Sequence, residues 1–185
     1  MRIGIIADTH IPEAGHSLPV QIFSAFTQVD LILHSGDLHV IEVLDWLEKL
    51  APVVAVRGNG DEPSGPLRPG LPQQDPRVFE SYVTCIEGLK LGMTHTFPLP
   101  EEAPFTPPAV LMQKTFHTPV DVVICGHTHV ALIRQFEDCL MINPGSALLP
   151  NNLTSRPGTV GILEIENGKV EATLIELTSL ETMNS

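Results

Sequence analysis

The sequence contains few cysteines, and this shortage argues against a disulfide-rich or cysteine-bound metal protein. Three cysteines occur among 185 residues. Cys85, Cys125 and Cys139 are odd in number, lack CxxC spacing and lie in apolar or strand-like stretches. We therefore predict buried, reduced thiols rather than a disulfide framework or a zinc cluster.

Basic residues are also scarce. Lys and Arg total 10 against 22 Asp and Glu, which gives a formal net charge of −12. Such a surface repels a phosphate backbone, so we predict no binding to long nucleic acid. Divalent cations bound by some of these carboxylates would reverse the sign of the charge locally.

Long hydrophobic runs are absent. No apolar stretch reaches the roughly 18 residues that a membrane-spanning helix needs, and "MRIGIIADTH" lacks the basic and apolar regions of a signal peptide. We therefore expect a cytoplasmic protein with no membrane partner. Hydrophobic residues make up 43% of the chain, enough for one domain over residues 1–185 with a substantial core.

The first half of the chain alternates strand and helix patterns. The strand-like runs are RIGIIAD, LILHSGD and APVVAVRGN. The helical pattern SLPVQIFSAFTQV lies between the first two runs, and VIEVLDWLEKL lies between the second and the third. This alternation predicts a parallel sheet. The three runs end in Asp8, Asp37 and Asn59, at the strand ends where α/β sheets bind ligands.

The second half is typical of hairpins. An apolar strand, VDVVICG, lies among three hairpin-like segments: RVFESYVTCIEGLKLGMTH, VALIRQFEDCLMINPG and GTVGILEIENGKVEATLIEL. The turns Glu87-Gly88 and Asn167-Gly168 support this interpretation. We predict one α/β domain with two sheets. Proline-rich segments 62–76 and 97–108 are equally compatible with surface loops and with walls of a site.

Eight polar side chains follow these apolar runs, mostly beside a glycine. They are Asp8 and His10 in "ADTH", Asp37 in "HSGDLH", Asn59 and Asp61 in "RGNGD", His95 in "GMTH", and His127 and His129 in "CGHTH". Carboxylate, imidazole and carboxamide groups all bind divalent metals. The i, i+2 spacing in two of the motifs places both side chains on one face of an extended segment.

All of these residues except Asp61 are candidate metal ligands. Seven ligands exceed the needs of one ion, whereas two ions roughly 3.5–4 Å apart, sharing one carboxylate, account for them. Two such ions clamp a phosphoryl group and lower the pKa of the water between them. The mixed nitrogen and oxygen set suits Mn²⁺, with Fe, Ni, Co and Zn left open.

Each residue alone also has a simpler interpretation. Asp8 and Asp37 are suited to capping a helix, and Asn59 to a turn. Together these interpretations require several coincidences in one order, so the metal hypothesis is favoured. His34 is equally suited to supporting the site and to packing in a strand. For His39, capping the next helix is favoured over a place near the site.

The ordered motifs DTH, GD, GNGD, H and GHTH resemble those of the calcineurin-like metallophosphoesterases, especially the small bacterial and archaeal phosphodiesterases. INPGS (142–146) followed by RPGT (156–159) strengthens the resemblance. The resemblance implies a four-layer αββα sandwich of two mixed β-sheets flanked by helices. It also implies a di-metal phosphodiesterase or phosphatase in which a metal-bridging hydroxide attacks the phosphoester, with small phosphodiesters as the favoured substrates.

The resemblance further implies residue roles. One ion is expected on Asp8, His10, Asp37 and His129, and the other on Asp37, Asn59, His95 and His127. Asp37 would bridge the ions, with Asn59 and His95 also placed at the reaction centre. Asp61 would orient a neighbouring ligand histidine.

Two positions depart from the family pattern. Gly60 stands where many relatives carry a histidine that protonates the leaving group, which shifts the expected preference toward phosphodiesters with good leaving groups. Phe97 replaces a histidine and is expected to change the pocket wall. The alternative function is a metal-bound or weakly catalytic interaction scaffold, such as the retromer subunit of this fold. A homo-oligomer is also compatible with the sequence.

Overall fold

A computed structural model describes residues 1–65, 68, 70–99, 101–153 and 156–183. Pro66, Leu67, Pro69 and Pro100, from the two proline-rich segments, lie outside the described residues. The strands are β1 Arg2–Ile6, β2 Leu31–His34, β3 Val53–Val56, β4 Val78–Phe79, β5 Tyr82–Ile86, β6 Leu89–Met93, β7 Val122–Ile124, β8 Ala131–Phe136, β9 Cys139–Pro144, β10 Thr159–Glu166 and β11 Lys169–Glu176. The α-helices are α1 Gln21–Ala25, α2 Glu42–Leu47 and α3 Pro108–Phe116, and short 3₁₀ helices cover Asn59–Asp61, Pro150–Asn152 and Leu177–Met183.

The strands form two mixed sheets. The first has the order β11-β10-β1-β2-β3-β4, and the second has the order β5-β6-β7-β9-β8. Strands β1, β2 and β3 are parallel neighbours, as the alternation of strands and helices predicts. Strands β6 and β7 are likewise parallel in the second sheet. The predicted hairpins β5–β6, β8–β9 and β10–β11 are confirmed as antiparallel pairs.

Three apolar clusters define four layers. In the first cluster, Phe26 and Leu44 pack beneath α1 and α2 against the first sheet. In the second, Ile5 and Ile124 lie between the two sheets. In the third, Phe116 of α3 packs against Val123 and Met141 of the second sheet. Because each layer buries an apolar face against the next, the result is the predicted αββα sandwich.

Helix α3 is the main element that the sequence interpretation missed. It begins at Pro108, immediately after a proline-rich segment, and Pro is favoured in the first turn because it has no N–H to leave unpaired. Phe97, expected in the pocket wall, instead packs in the cluster beneath α3. The centroid of its ring lies 6.1 Å from the centroid of the Phe116 ring. The 97–108 segment therefore begins as part of the core.

The cysteine prediction is correct for two of the three residues. All three thiols are free; Cys125 and Cys139 are buried, whereas Cys85 is exposed. Residue 85 lies on β5, at the edge of the second sheet, where one face of the strand meets solvent. In the described part of the chain, every helix is too short or too polar to cross a membrane.

Candidate metal centre

The seven predicted ligands converge at one edge of the sandwich. Each follows a strand of the parallel core: Asp8 and His10 follow β1, Asp37 follows β2, Asn59 follows β3, His95 follows β6, and His127 and His129 follow β7. Because these strands run in parallel within each sheet, their carboxyl ends meet on the same side. The sandwich therefore gathers in space residues that lie up to 121 positions apart in the chain, from residue 8 to residue 129.

The backbone at the site is left-handed rather than extended. The φ angles of Asp8 and His10 are +52° and +48°, and those of His127 and His129 are +73° and +59°. The i, i+2 pairs do reach one cluster, but the expectation of an extended segment is wrong. Such φ values are uncommon outside glycine and cost free energy, and they recur at functional sites where the surrounding fold enforces them.

One half of the centre consists of Asp8, His10 and His129. The Nε2 atoms of His10 and His129 lie 3.0 Å apart. Asp8 Oδ1 lies 3.8 Å from His10 Nε2 and 3.5 Å from His129 Nε2. The backbone N–H of His127 donates to both carboxylate oxygens of Asp8, which fixes that carboxylate between β1 and β7.

The other half surrounds His95. Its Nε2 atom lies 3.1 Å from Asn59 Oδ1 and 3.3 Å from His127 Nδ1. Asp37 joins the halves, because its Oδ2 atom lies 3.5 Å from His10 Nε2 and 3.4 Å from His95 Nε2. One carboxylate oxygen thus lies between the two groups of donors.

These separations fit bound cations. Nitrogen and oxygen ligands about 2.0–2.2 Å from one ion lie roughly 3.0–3.4 Å from each other when adjacent. The donor atoms of Asp8, His10 and His129, and those of Asp8, Asp37 and His95, all lie within 4.8 Å of one another. Asp8 and Asp37 are 0% and 2% exposed, and carboxylates so buried require positive partners. This donor set indicates a divalent metal site.

Electrostatics at the junction favour an ionised carboxylate. Burial alone would raise the pKa of Asp37, but its hydrogen bond to His95, the charge of His95 and the N–H of Gly60 together hold that pKa well below its usual range. Burial lowers the pKa of His95, and the contact with Asp37 outweighs it and raises the pKa. Burial lowers the pKa of His129, so its imidazole stays neutral, the form that binds metals.

Asp61 supports the site through backbone groups, among them the N–H of His39. Its Oδ2 atom accepts hydrogen bonds from the backbone N–H groups of Gly58 and Asp37, at 2.8 and 3.0 Å, and its Oδ1 atom accepts one from His39 at 2.7 Å. Burial raises the pKa of Asp61. The carboxylate therefore ties the turn after β3 to the turn after β2.

Two histidines near the centre have different surroundings. His34, at the end of β2, is buried; its Nδ1 accepts the N–H of Gly36, and its Nε2 lies 3.3 Å from Thr9 Oγ1. His39 does not cap α2, which was the favoured expectation, because Ile41 is the N-cap and makes no side-chain hydrogen bond. His39 is instead buried beside His10, with its ring centroid 4.5 Å away.

The INPGS segment holds two loops of the site in place. Asn143 Nδ2 donates to the carbonyl of Gly126 at 2.8 Å, next to His127. Ser146 Oγ donates to the carbonyl of Asp8 at 2.6 Å. The INPGS motif, part of the family resemblance, is the sequence signal for these two residues.

Residues 1–168 match the family model of the calcineurin-like phosphoesterase superfamily domain. The chain belongs to that superfamily. The match spans every candidate ligand, from Asp8 to His129, and the predicted family is confirmed.

Relatives support the same assignment. A probable metallophosphoesterase of Methanothermobacter thermautotrophicus is 39% identical over 175 residues, which are 95% of this chain and 92% of the relative. A phosphodiesterase of Methanocaldococcus jannaschii is 30% identical over 179 residues, 95% of this chain and 100% of the relative. The crystal structure of wild-type Vps29 from Entamoeba histolytica, complexed with Zn²⁺, has a TM-score of 0.66 and 24% identity, covering 96% of this chain and 99% of that one. At 24% identity, the similarity to Vps29 shows a shared fold and nothing more.

Proposed function

We propose that the protein is a metal-dependent phosphodiesterase that hydrolyses small phosphodiesters. The observation that carries this proposal is the place of Asp37 Oδ2, 3.5 Å from His10 Nε2 and 3.4 Å from His95 Nε2. A pair of divalent ions that share one carboxylate needs a ligand so placed. The M. jannaschii relative, similar over its whole length, is named a phosphodiesterase, which supports the same class of substrate.

The seven side chains divide into two ligand sets. One ion would be held by Asp8, His10, Asp37 and His129, and the other by Asp37, Asn59, His95 and His127. When bound, the two ions would supply a bridging hydroxide nucleophile at neutral pH and would neutralise charge on the phosphate. Mn²⁺ is the first metal to test, because the set mixes oxygen and nitrogen donors without a thiolate.

The chain's own residues keep this centre rigid. The N–H of Gly60 donates to Asp37 Oδ1 at 2.7 Å, so the bridging carboxylate presents Oδ2 to the centre. The N–H of His127 donates to both carboxylate oxygens of Asp8 and fixes that side chain as well. Ligands that are fixed before substrate arrives cost little reorganisation during the reaction, which is the main source of electrostatic catalysis.

Gly60 sets the expected substrate preference. It has no side chain with which to protonate a leaving group, so the preferred substrates are diesters whose leaving group departs without that help. The net charge of −12 disfavours long polyanions, so small diesters, including those of mononucleotides, fit better.

Hydrolysis of bis(p-nitrophenyl) phosphate with added Mn²⁺ tests the proposal. We expect the diester to be cleaved faster than p-nitrophenyl phosphate. Asp37→Asn should abolish turnover, whereas Asp30→Asn, an exposed carboxylate away from the centre, should not. Protein that binds metal and remains inactive with Mn²⁺, Fe²⁺, Ni²⁺, Co²⁺ and Zn²⁺ would contradict catalysis.

A second candidate is an interaction scaffold with a bound metal. The likeness in fold to Vps29, whose structure was solved with Zn²⁺, favours it. A partner that still binds Asp37→Asn protein in a pull-down, together with absent hydrolysis by the wild type, would select the scaffold. A single domain over residues 1–185, a cytoplasmic location and a homo-oligomer stay predictions.

A further inference from the structure

His39 is a buried imidazole at the edge of the centre that makes no hydrogen bond through either ring nitrogen to any described residue. The residue is 0% exposed. Buried polar groups in folded proteins are nearly always paired, and each exception calls for an explanation such as a bound ion. The seven proposed ligands do not include this residue.

The His39 ring lies within reach of the proposed ions. It meets the His10 ring edge-on, at 4.5 Å between centroids and 80° between planes. One donor atom each from His10, Asp37 and His39 lies within 4.8 Å of the other two. Ligands on opposite sides of one ion are about 4.2 Å apart and adjacent ligands are about 3 Å apart, so the three donors are spaced almost as ligands of one ion would be.

The two nitrogens of the ring have different surroundings. Nδ1 lies 3.9 Å from Glu13 Oε2, and Glu13 is itself held by Arg68, whose Nε and Nη2 donate to its two oxygens at 2.7 and 2.5 Å. Nε2 points toward Gly60, where an added Cβ would lie only 2.5 Å away. A metal-bound histidine commonly directs its other N–H at a carboxylate, and Glu13 stands on the Nδ1 side of His39.

We propose that His39 is a further metal ligand, which binds through Nε2 beside His10 and Asp37 while Glu13 orients the ring from the Nδ1 side. The proposal rests on the metal centre of the proposed function. It also explains Gly60, because a side chain at that position would occupy the space next to Nε2. Contact with substrate is disfavoured, since a fully buried ring is not reached by a molecule larger than water.

The variant His39→Phe tests this role, because it keeps an aromatic ring in place and removes both nitrogens. Metal-free wild-type and variant proteins are titrated with Mn²⁺ by calorimetry and with Co²⁺ by visible absorption. We expect one of the two ions to bind His39→Phe at least 10–100-fold more weakly, because losing even a residue that only hydrogen-bonds a metal ligand typically costs that much affinity. We also expect the Co²⁺ absorption bands to change. His16→Phe, at an exposed histidine, should match the wild type.

Equal Mn²⁺ affinity and an unchanged Co²⁺ spectrum in His39→Phe would overturn the role of His39 and leave the proposed function intact. Wild-type protein that binds neither metal would contradict both. A measurement on wild-type protein covers the case in which the variant does not fold. In Co²⁺-loaded protein with ¹⁵N-labelled histidine, five hyperfine-shifted imidazoles support the proposal, and four, from His10, His95, His127 and His129, overturn it.

Discussion

The Nε2 atoms of His10 and His129 lie 3.0 Å apart, although 119 residues separate them in the chain. Two neutral imidazoles at this distance need one proton between them, and two protonated rings would repel each other. A cation held by both nitrogen lone pairs would need neither a shared proton nor protonated rings, and Asp8, whose Oδ1 lies 3.5 Å from His129 Nε2, is placed to bind it as well. The stability of this edge of the sandwich is therefore expected to depend on metal.

Metal binding should raise the melting temperature. Because ions bind the folded state alone, a metal at 100 times its dissociation constant stabilises the protein by about 2.7 kcal/mol per site. We expect Mn²⁺ to raise the melting temperature of the wild type and EDTA to reverse the change, as measured by differential scanning fluorimetry. The rise should be much smaller in His129→Ala. An equal rise in His129→Ala and in the surface control His16→Ala would contradict the assignment.

Asp61→Asn should destabilise the protein. The carboxylate accepts three backbone N–H groups, and the amide nitrogen of Asn accepts none, so at least one buried N–H loses its partner. The expected cost is about 1–3 kcal/mol in the free energy of unfolding, measured by urea denaturation. Asp30→Asn is the matched control, because Asp30 accepts the N–H of Arg2 at an exposed site. Equal costs in the two variants would argue against a special role for Asp61.

Gly58→Ala should disturb the Asp37 carboxylate. A Cβ at residue 58 would lie 2.0 Å from Asp37 Oδ1 and 2.4 Å from the Asp37 backbone nitrogen, so Asp37 must move. We expect weaker Mn²⁺ binding in calorimetry and reduced diester hydrolysis. Gly168→Ala is the control, because a Cβ there meets nothing within 4 Å. It should lower the free energy of unfolding by only about 1–2 kcal/mol, through strain in the left-handed backbone. Normal metal affinity in Gly58→Ala would refute this prediction.

Metal-free protein should lose stability as the pH falls below 6.5, partly through His34. Burial lowers the pKa of His34 to about 3 from its ordinary 6.5, so between these values the unfolded chain binds a proton that the folded protein does not. Stability is full above pH 6.5 and falls as the pH drops toward 3, by about 1.4 kcal/mol per pH unit for one proton. His34→Gln should reduce this slope in urea denaturations at pH 4.5 to 7. An unchanged slope would mean that other groups carry the acid sensitivity.

Much of the fold could be predicted because its signals are local. The hairpin turn at Asn167-Gly168 has the φ values, +52° and +74°, that this pair adopts readily. The strand runs, too, are short apolar segments that end in polar residues. Helix α3 was missed because its nine residues follow a proline-rich segment and carry no acidic first turn or side-chain cap.

The details of the site were less predictable because they depend on contacts between distant segments. The sequence does not say which groups Asp61 contacts, and in the structure its carboxylate meets the backbone of the turn after β2. Phe97 looks like a pocket residue, yet the space beneath α3 takes its ring. Both contacts are made with segments that lie far away in the sequence, so nearby residues do not predict them.

The sequence by itself determined the chemistry: which segments are strands, and that their ends carry carboxylates, imidazoles and one carboxamide. These properties follow from residue type and short-range periodicity. Only the tertiary structure decided which of those groups meet, because parallel pairing of β1 with β2 and of β6 with β7, and the packing of one sheet on the other, set the distances between them. It also decided the place of His39, whose side chain lies where Gly60 leaves space.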